Sequence, residues 1–117
     1  MKLKVYAYAK CDTCRRALKL LESRGIAHTV MPIREQPPTR AELARMLKAQ
    51  GGNLRKLFNT SGQDYQRLGL RDKLPAMSVD EALALLSGNG NLVKRPFVLT
   101  VDGGLVGFDE ERWKTLK

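Results

Sequence analysis

Residues 2–24 read KLKVYAYAKCDTCRRALKLLESR, and the rest of the chain is organised around them. Leu3, Val5 and Ala7 alternate with Lys4, Tyr6 and Tyr8, the period-two pattern of a half-buried strand. The pattern breaks at Ala9 and Lys10. Ala17, Leu18, Leu20 and Leu21 then recur at the spacing of an apolar stripe on a helix. The only two cysteines, Cys11 and Cys14, sit at this strand-to-helix junction. Two intervening residues bring the sulfurs within disulfide reach, and the free N–H groups at a helix start favour negative charge on a sulfur there. Cys11, at the mouth of the junction, is the expected nucleophile. Cys14, further into the helix, is placed to resolve a mixed disulfide on Cys11. Lys10, Arg15 and Arg16 add positive charge around the pair.

A CxxC pair can also be half of a zinc site. Structural zinc normally takes four ligands, whereas this chain offers one histidine, His28, and no third cysteine. No metal and no bound cofactor are therefore expected. As a structural staple the pair would be weak, because cross-link stabilisation grows with loop length. His28 itself reads as an edge or surface residue at the start of a second strand, with a proton shuttle as the alternative.

A chain of 117 residues suits one domain with one sizeable core. No apolar run is long enough to span a membrane, and Lys2 and Lys4 lie inside an alternating strand rather than ahead of an apolar block. The expectation is a monomer in the cytoplasm, with no membrane partner; in that compartment a CxxC is more often chemical than structural. The formal net charge is +9, from 21 Lys and Arg against 12 Asp and Glu. Such a balance suits an anionic substrate, an acidic protein face or nucleic acid. The basic residues are dispersed, however, and no recognition-helix or aromatic-interleaved pattern appears, so direct sequence-specific nucleic acid binding is not expected.

Gly25 ends the first helix, and residues 26–33 read as a second strand, completing a βαβ unit with parallel strands. Thr39 and Glu42 form a capping box ahead of a helix that stops at Gly51 and Gly52. Short helical pieces follow around Leu54–Phe58, Tyr65–Leu68 and Val79–Leu86. Period two returns at Phe97, Leu99 and Val101. Asp102-Gly103-Gly104 then reads as a hairpin turn, residues 105–108 as the partner strand, and Asp109 as the opening of a last helix. The pattern is that of an α/β thioredoxin-like fold with a four-stranded mixed sheet. Its core is expected over about 1–36 and 92–117, with a helical insertion over about 37–91. No GxxxxGK or GxGxxG is present, which removes the common nucleotide-cradling loops. Arg95-Pro96, just before the hairpin, has two readings. One is an ordinary loop arginine with a strand-start proline; the other is a cis proline that exposes backbone beside an arginine holding a thiolate or oxyanion.

Several segments in order resemble the ArsC/Spx family of arsenate reductases and Spx- and MgsR-type RNA-polymerase-binding regulators. They are Cys11-Asp12-Thr13-Cys14-Arg15 with Ala17, Phe58-Asn59-Thr60-Ser61-Gly62 with Tyr65 and Leu68, the region 74–86, and Asn91-Leu92-Val93-Lys94-Arg95-Pro96-Phe97 running into residues 104–108. The resemblance covers nearly the whole chain. It implies a thioredoxin-like fold with an inserted helical region and a cis bond before Pro96. The family's arsenate reductases use a nucleophilic cysteine, matched by Cys11, and three anion-binding arginines, of which only Arg95 has a counterpart. The other two positions fall near Asn59 and on Gly107. Each lost guanidinium removes charge-assisted contacts worth roughly 1.5–3 kcal/mol, which disfavours arsenate reduction, although Arg15 could partly substitute. In the glutathione-dependent arsenate reductases the position of Cys14 is usually serine, whereas the Spx-like branch carries CxxC as a dithiol switch.

Three functions follow from the resemblance. The first is a thiol-dependent oxidoreductase in which Cys11 attacks, Cys14 resolves and Arg95 stabilises sulfur charge, served by a redox partner protein, glutathione or another cellular thiol. The second is a redox-sensing regulator that binds the C-terminal domain of the RNA polymerase alpha subunit. The third and least favoured is arsenate reductase. The candidate chemical residues are Cys11, Cys14 and Arg95, and the candidate binding residues are Lys10, Arg15, Asn59, Thr60 and Pro96.

Overall fold

A computed structural model describes residues 2–116. Strands β1 (Leu3–Ala7), β2 (His28–Pro32), β3 (Phe97–Thr100) and β4 (Gly103–Val106) form one sheet in the order β2-β1-β3-β4. β1 and β2 run parallel, joined by helix α1 (Asp12–Ser23), while β3 is antiparallel to both β1 and β4. Between β2 and β3 lie α2 (Arg40–Ala49), α3 (Gln63–Arg67), α4 (Leu70–Lys73) and α5 (Val79–Gly88), interspersed with short 3-10 turns. A final helix, α6 (Glu110–Trp113), follows β4. This is a thioredoxin-like α/β fold with a four-stranded mixed sheet and a helical insertion.

The alternation in β1 sorts the core into two layers. Leu3, Val5 and Ala7 face α1 and α6 and pack with Cys14, Ala17, Leu21, Val98, Trp113 and Leu116. Tyr6, on the opposite face, packs with Phe97, Leu99 and the insertion's Leu43 and Met46. Burying side chains of this size stabilises the fold by about 1.5–3 kcal/mol each before entropy is counted. Trp113 is fully buried, and its indole N–H donates to the Gly107 carbonyl at 3.0 Å, which ties the last helix to the end of β4.

Several element boundaries differ from the sequence reading: β2 ends at Pro32, β3 at Thr100 and β4 at Val106, and two of the shifts have a clear physical reason. β2 begins at His28 rather than Ile26, because Ile26 is used to close α1: its N–H donates to the Leu21 carbonyl while Gly25 N–H donates to Glu22, with Gly25 at φ +66°. In the hairpin, Gly103 and Gly104 belong to β4, and the turn is Val101-Asp102, with Thr100 paired to Gly103. The reason is packing. A Cβ on Gly104 would lie 2.6 Å from the Val98 carbonyl oxygen and 2.5 Å from Met46 Cε, so the glycine lets α2 approach the sheet.

Register places the functional end of the sheet. Tyr6 pairs with Phe97, and Phe97 with Val106, so the exit of β1, the entry of β3 and the exit of β4 lie side by side. Cys11, Arg95-Pro96 and Gly107 are the residues that follow or precede these three strand ends. His28 pairs with Leu3 at the other end of β1. Its Nδ1–H donates to the Ile26 carbonyl at 2.8 Å, a local clasp at the opposite end of the sheet.

Candidate dithiol site

Cys11 is the N-cap of α1, in extended backbone geometry, and its sulfur accepts a hydrogen bond from the Cys14 N–H at 3.3 Å. The same sulfur is partly open to solvent, whereas Cys14 is fully buried against β1. Both cysteines are free thiols. Burial is the main cause that pushes the Cys14 thiol up to about 12, and the hydrogen bond and charge of Cys11 push in the same direction. The Tyr8 backbone N–H and the Arg95 charge oppose that rise. The two thiols therefore differ by environment: one is partly open to solvent and receives an amide at a helix start, the other is neutral and buried.

A cleft of about 520 Å³ lies over Cys11, bordered by Thr13, Asn59, Lys94, Arg95, Gly107 and Phe108 among others. Two short segments are stitched together to form its far wall. Phe58 bridges Val93, Asn59 N–H donates to Leu92 at 2.7 Å, and Lys94 N–H donates to Leu57 at 2.8 Å. The pairing sets Asn59 beside Lys94 and Arg95. Gly62 leaves room for the Asn59 side chain, since a Cβ there would come within 2.8 Å of Asn59 Nδ2. The Arg95-Pro96 bond is cis, and Pro96 is buried at the entry to β3. Arg95 stacks its guanidinium 5.1 Å from the Tyr8 ring centroid, and Arg34 lies 4.9 Å from the same ring while donating to the Tyr8 hydroxyl at 2.8 Å. Arg95 Nη1 is buried without a hydrogen-bond partner. An unpartnered charged donor of this kind costs a few kcal/mol unless an anion answers it.

The structure thus brings Cys11, Cys14, Arg95 and Asn59 together. Thr60 lines the adjoining groove instead. Lys10 and Arg15 are exposed and do not border the Cys11 cleft; Arg15 pairs with Asp12 on the outside of α1. Beside Arg95, the cation that borders the cleft is Lys94, which the sequence reading did not single out. A Cβ on Gly107, at φ +72°, would lie 3.1 Å from Lys94 Cε, so this lysine passes close to one of the positions where the resemblance leads one to look for an arginine. Thr13 and Phe108 were missed as well. Thr13 lies within the CxxC loop itself, whereas Phe108 reaches the cleft only because the strand ends converge. Among the described residues no group of three or more His, Cys, Asp or Glu side chains could hold a metal ion, and no helix is long and apolar enough to cross a membrane.

A free cysteine pair at the strand-to-helix junction, facing a cis-proline loop across the edge of a mixed sheet, defines a thioredoxin-fold dithiol protein. The profile of the ArsC family matches residues 6–116, and the chain belongs to that family. It is 47% identical over 116 residues to the uncharacterized protein YusI of Bacillus subtilis, covering 97% of each chain. It is 34% identical to an arsenate reductase of Rhizobium meliloti, over 85% of this chain and 69% of that one. Among solved structures, an ArsC family related protein from Bacteroides fragilis superposes with a TM-score of 0.92 at 44% identity, covering all of both chains. An arsenate reductase from Vibrio cholerae gives 0.85 at 29% identity, over 100% of this chain and 98% of the other. Family and cysteine pair together support a redox-active thiol protein.

Proposed function

We propose that the chain is a thiol-disulfide oxidoreductase working through Cys11 and Cys14. The observation that carries this reading is the asymmetry of the pair: an accessible sulfur receiving a helix-terminal N–H, directly above a buried thiol that no outside molecule can reach. The Cys11 thiolate attacks one sulfur of a substrate disulfide, forming a mixed disulfide and releasing the other half as a thiolate. Burial is the main reason the Cys14 thiol is raised; capping Cys11 removes the lesser contribution of its charge, and the Tyr8 N–H and Arg95 favour the Cys14 anion. Cys14 then attacks the Cys11 sulfur, closing the intramolecular disulfide and releasing the second substrate thiol. The substrate disulfide gains two electrons and the dithiol loses them; glutathione, another cellular thiol or a redox protein restores it.

Turnover of a model disulfide should vanish in Cys11→Ser and stall in Cys14→Ser as a mixed disulfide visible by mass. A chain that forms no Cys11–Cys14 disulfide anywhere between roughly −150 and −320 mV would refute the mechanism.

A second reading draws on one specific observation, the buried and unpartnered Arg95 Nη1 with Lys94 nearby. Those two cations suit an oxyanion over Cys11, as in an arsenate reductase. Arsenate-dependent oxidation of glutathione or glutaredoxin above a buffer control is the result that would favour it.

A further inference from the structure

The cleft over Cys11 continues past the dithiol. Lys94 borders it and also borders a second groove of about 510 Å³, whose walls include Arg55, Lys56, Asp109 and Arg112. Arg55 in turn borders a third recess with Leu54, Tyr65, Arg71, Leu74 and Pro75. Followed from the recess to the thiol, the path carries Arg71, Arg55, Lys56, Arg112, Lys94 and Arg95, set against the carboxylate of Asp109.

Part of the protein's positive charge is neutralised in place. Lys4, Arg15, Arg40, Arg67 and Lys114 each hold a carboxylate within ion-pair distance. Among the described residues no such pair engages Arg55, Lys56, Arg71, Lys94 or Arg112. Other cations, Lys10, Lys19 and Lys48 among them, also hold no carboxylate among the described residues, but the three recesses linked through Lys94 and Arg55 gather six cations against the single carboxylate of Asp109 on a path that ends at the reactive sulfur. Clefts lined by one sign of charge concentrate oppositely charged partners and raise their encounter rate.

We infer that this groove docks an acidic segment of the protein whose disulfide is exchanged at Cys11. The inference rests on the dithiol reading for its chemistry, which is the two-step exchange already written, and adds the substrate class and the surface that selects it. An acidic peptide supplies both what the groove attracts and what the thiol needs, carboxylates and a sulfur in one molecule. Nucleic acid would satisfy the charge but brings no disulfide to Cys11. The recess at the far end, lined by Leu54, Tyr65, Leu74 and Pro75 inside a rim of Arg55 and Arg71, suits an apolar side chain of the same segment.

The test has a binding arm and a kinetic arm, both on the full chain. In a Cys11→Ser/Cys14→Ser background, fluorescence anisotropy compares a labelled Glu-rich peptide carrying one Leu, the same peptide with Gln for Glu, and a single-stranded oligonucleotide of equal charge. The acidic peptide should bind best, and its advantage should fade as salt is raised. In the kinetic arm, the wild-type dithiol should react with a mixed disulfide of the acidic peptide roughly tenfold faster than with the neutral one at low salt. That preference should fall to parity in Arg55→Glu/Lys56→Glu/Arg112→Glu, and about halfway in the milder Gln variants of the same exposed positions. The rate on uncharged hydroxyethyl disulfide should stay unchanged in both. Equal binding of acidic and neutral peptides, or tighter binding of the oligonucleotide, overturns the docking proposal. Failure of wild type to reduce hydroxyethyl disulfide instead overturns the exchange reading, and the anisotropy arm then decides docking alone.

Discussion

Replacing Glu42 by alanine should cost about 2–4 kcal/mol, more than an ordinary half-exposed carboxylate would. Glu42 is the N3 residue of α2, and it holds three groups at once. Oε1 accepts the Thr39 N–H at 3.0 Å and the Tyr6 hydroxyl at 2.6 Å, while Oε2 accepts Lys4 Nζ at 2.9 Å. Truncation orphans the hydroxyl of Tyr6, a residue only 2% exposed, at roughly 1–3 kcal/mol. It also removes the return arm of the capping box, about 0.5 kcal/mol, and a partly exposed ion pair worth up to about 1 kcal/mol. Tyr6→Phe removes the donor as well as the need for it, and should cost about 1 kcal/mol. The double variant should therefore be more stable than the sum of the singles implies. Urea unfolding followed by circular dichroism measures all four corners of the cycle. A Glu42→Ala loss below about 0.5 kcal/mol, or additivity within about 0.5 kcal/mol, would show that the network is not coupled.

The same carboxylate gives stability an acid dependence. Burial opposes its ionised form, but hydrogen bonds from Lys4, Tyr6 and the Thr39 backbone outweigh that and hold its pKa below the usual carboxylate value. A depressed folded-state pKa means the contribution is complete above the unfolded value of about 4.3 and is lost as pH falls through the folded value. Wild-type stability should thus decline more steeply with acidification than that of Glu42→Gln. At the other end of the scale, Lys4 is raised chiefly by its hydrogen bond to Glu42, and Tyr6 chiefly by burial. Their contributions are present below the unfolded values and are lost as pH rises through the folded ones.

Three further outcomes are expected. Gly90→Ala should unfold the chain or cost more than about 3 kcal/mol in denaturant titration, because its Cβ would sit 1.8 Å from the Ile33 carbonyl oxygen, a backbone atom that cannot swing aside. Iodoacetamide at neutral pH should label Cys11 alone by peptide mapping, with Cys14 reacting only after denaturation, since it is buried and its thiol is pushed up to about 12; equal labelling in the native state would refute this assignment. Arg95→Gln removes a charge that favours the Cys14 anion, the smallest of the influences on that thiol, so quenched-flow mass analysis should find the Cys11 mixed disulfide persisting modestly longer. An unchanged lifetime would remove Arg95 from the resolving step.

What was legible in the sequence was local or periodic. The alternation of residues 3–8, the apolar stripe of α1 and the position of Cys11 before a helix all depend on interactions within a few residues. So do the Gly25 and Gly51-Gly52 helix stops, where φ is +66°, +70° and +82°. The Thr39–Glu42 capping box is present for the same reason. The ordered family motifs added the cis bond before Pro96.

Tertiary structure decided what depends on residues far apart in the chain. Strand register brings Cys11, Arg95 and Gly107 to one edge, and the ladder between residues 57–59 and 92–94 sets Asn59 opposite them. Arg15, adjacent to the pair in sequence, turns outward to Asp12, while Lys94, distant by eighty positions, enters the cleft. Gly103 and Gly104 look like turn residues by composition, yet the close approach of α2 makes them strand residues. The same holds for the charge: the sequence by itself determined an excess of cations, and only packing decided which of them carboxylates neutralise and which of the rest gather along the groove. Short-range hydrogen bonding and periodicity act between neighbours and can be read along a chain, but side-chain direction, burial and charge pairing across the sheet exist only once the chain has closed on itself.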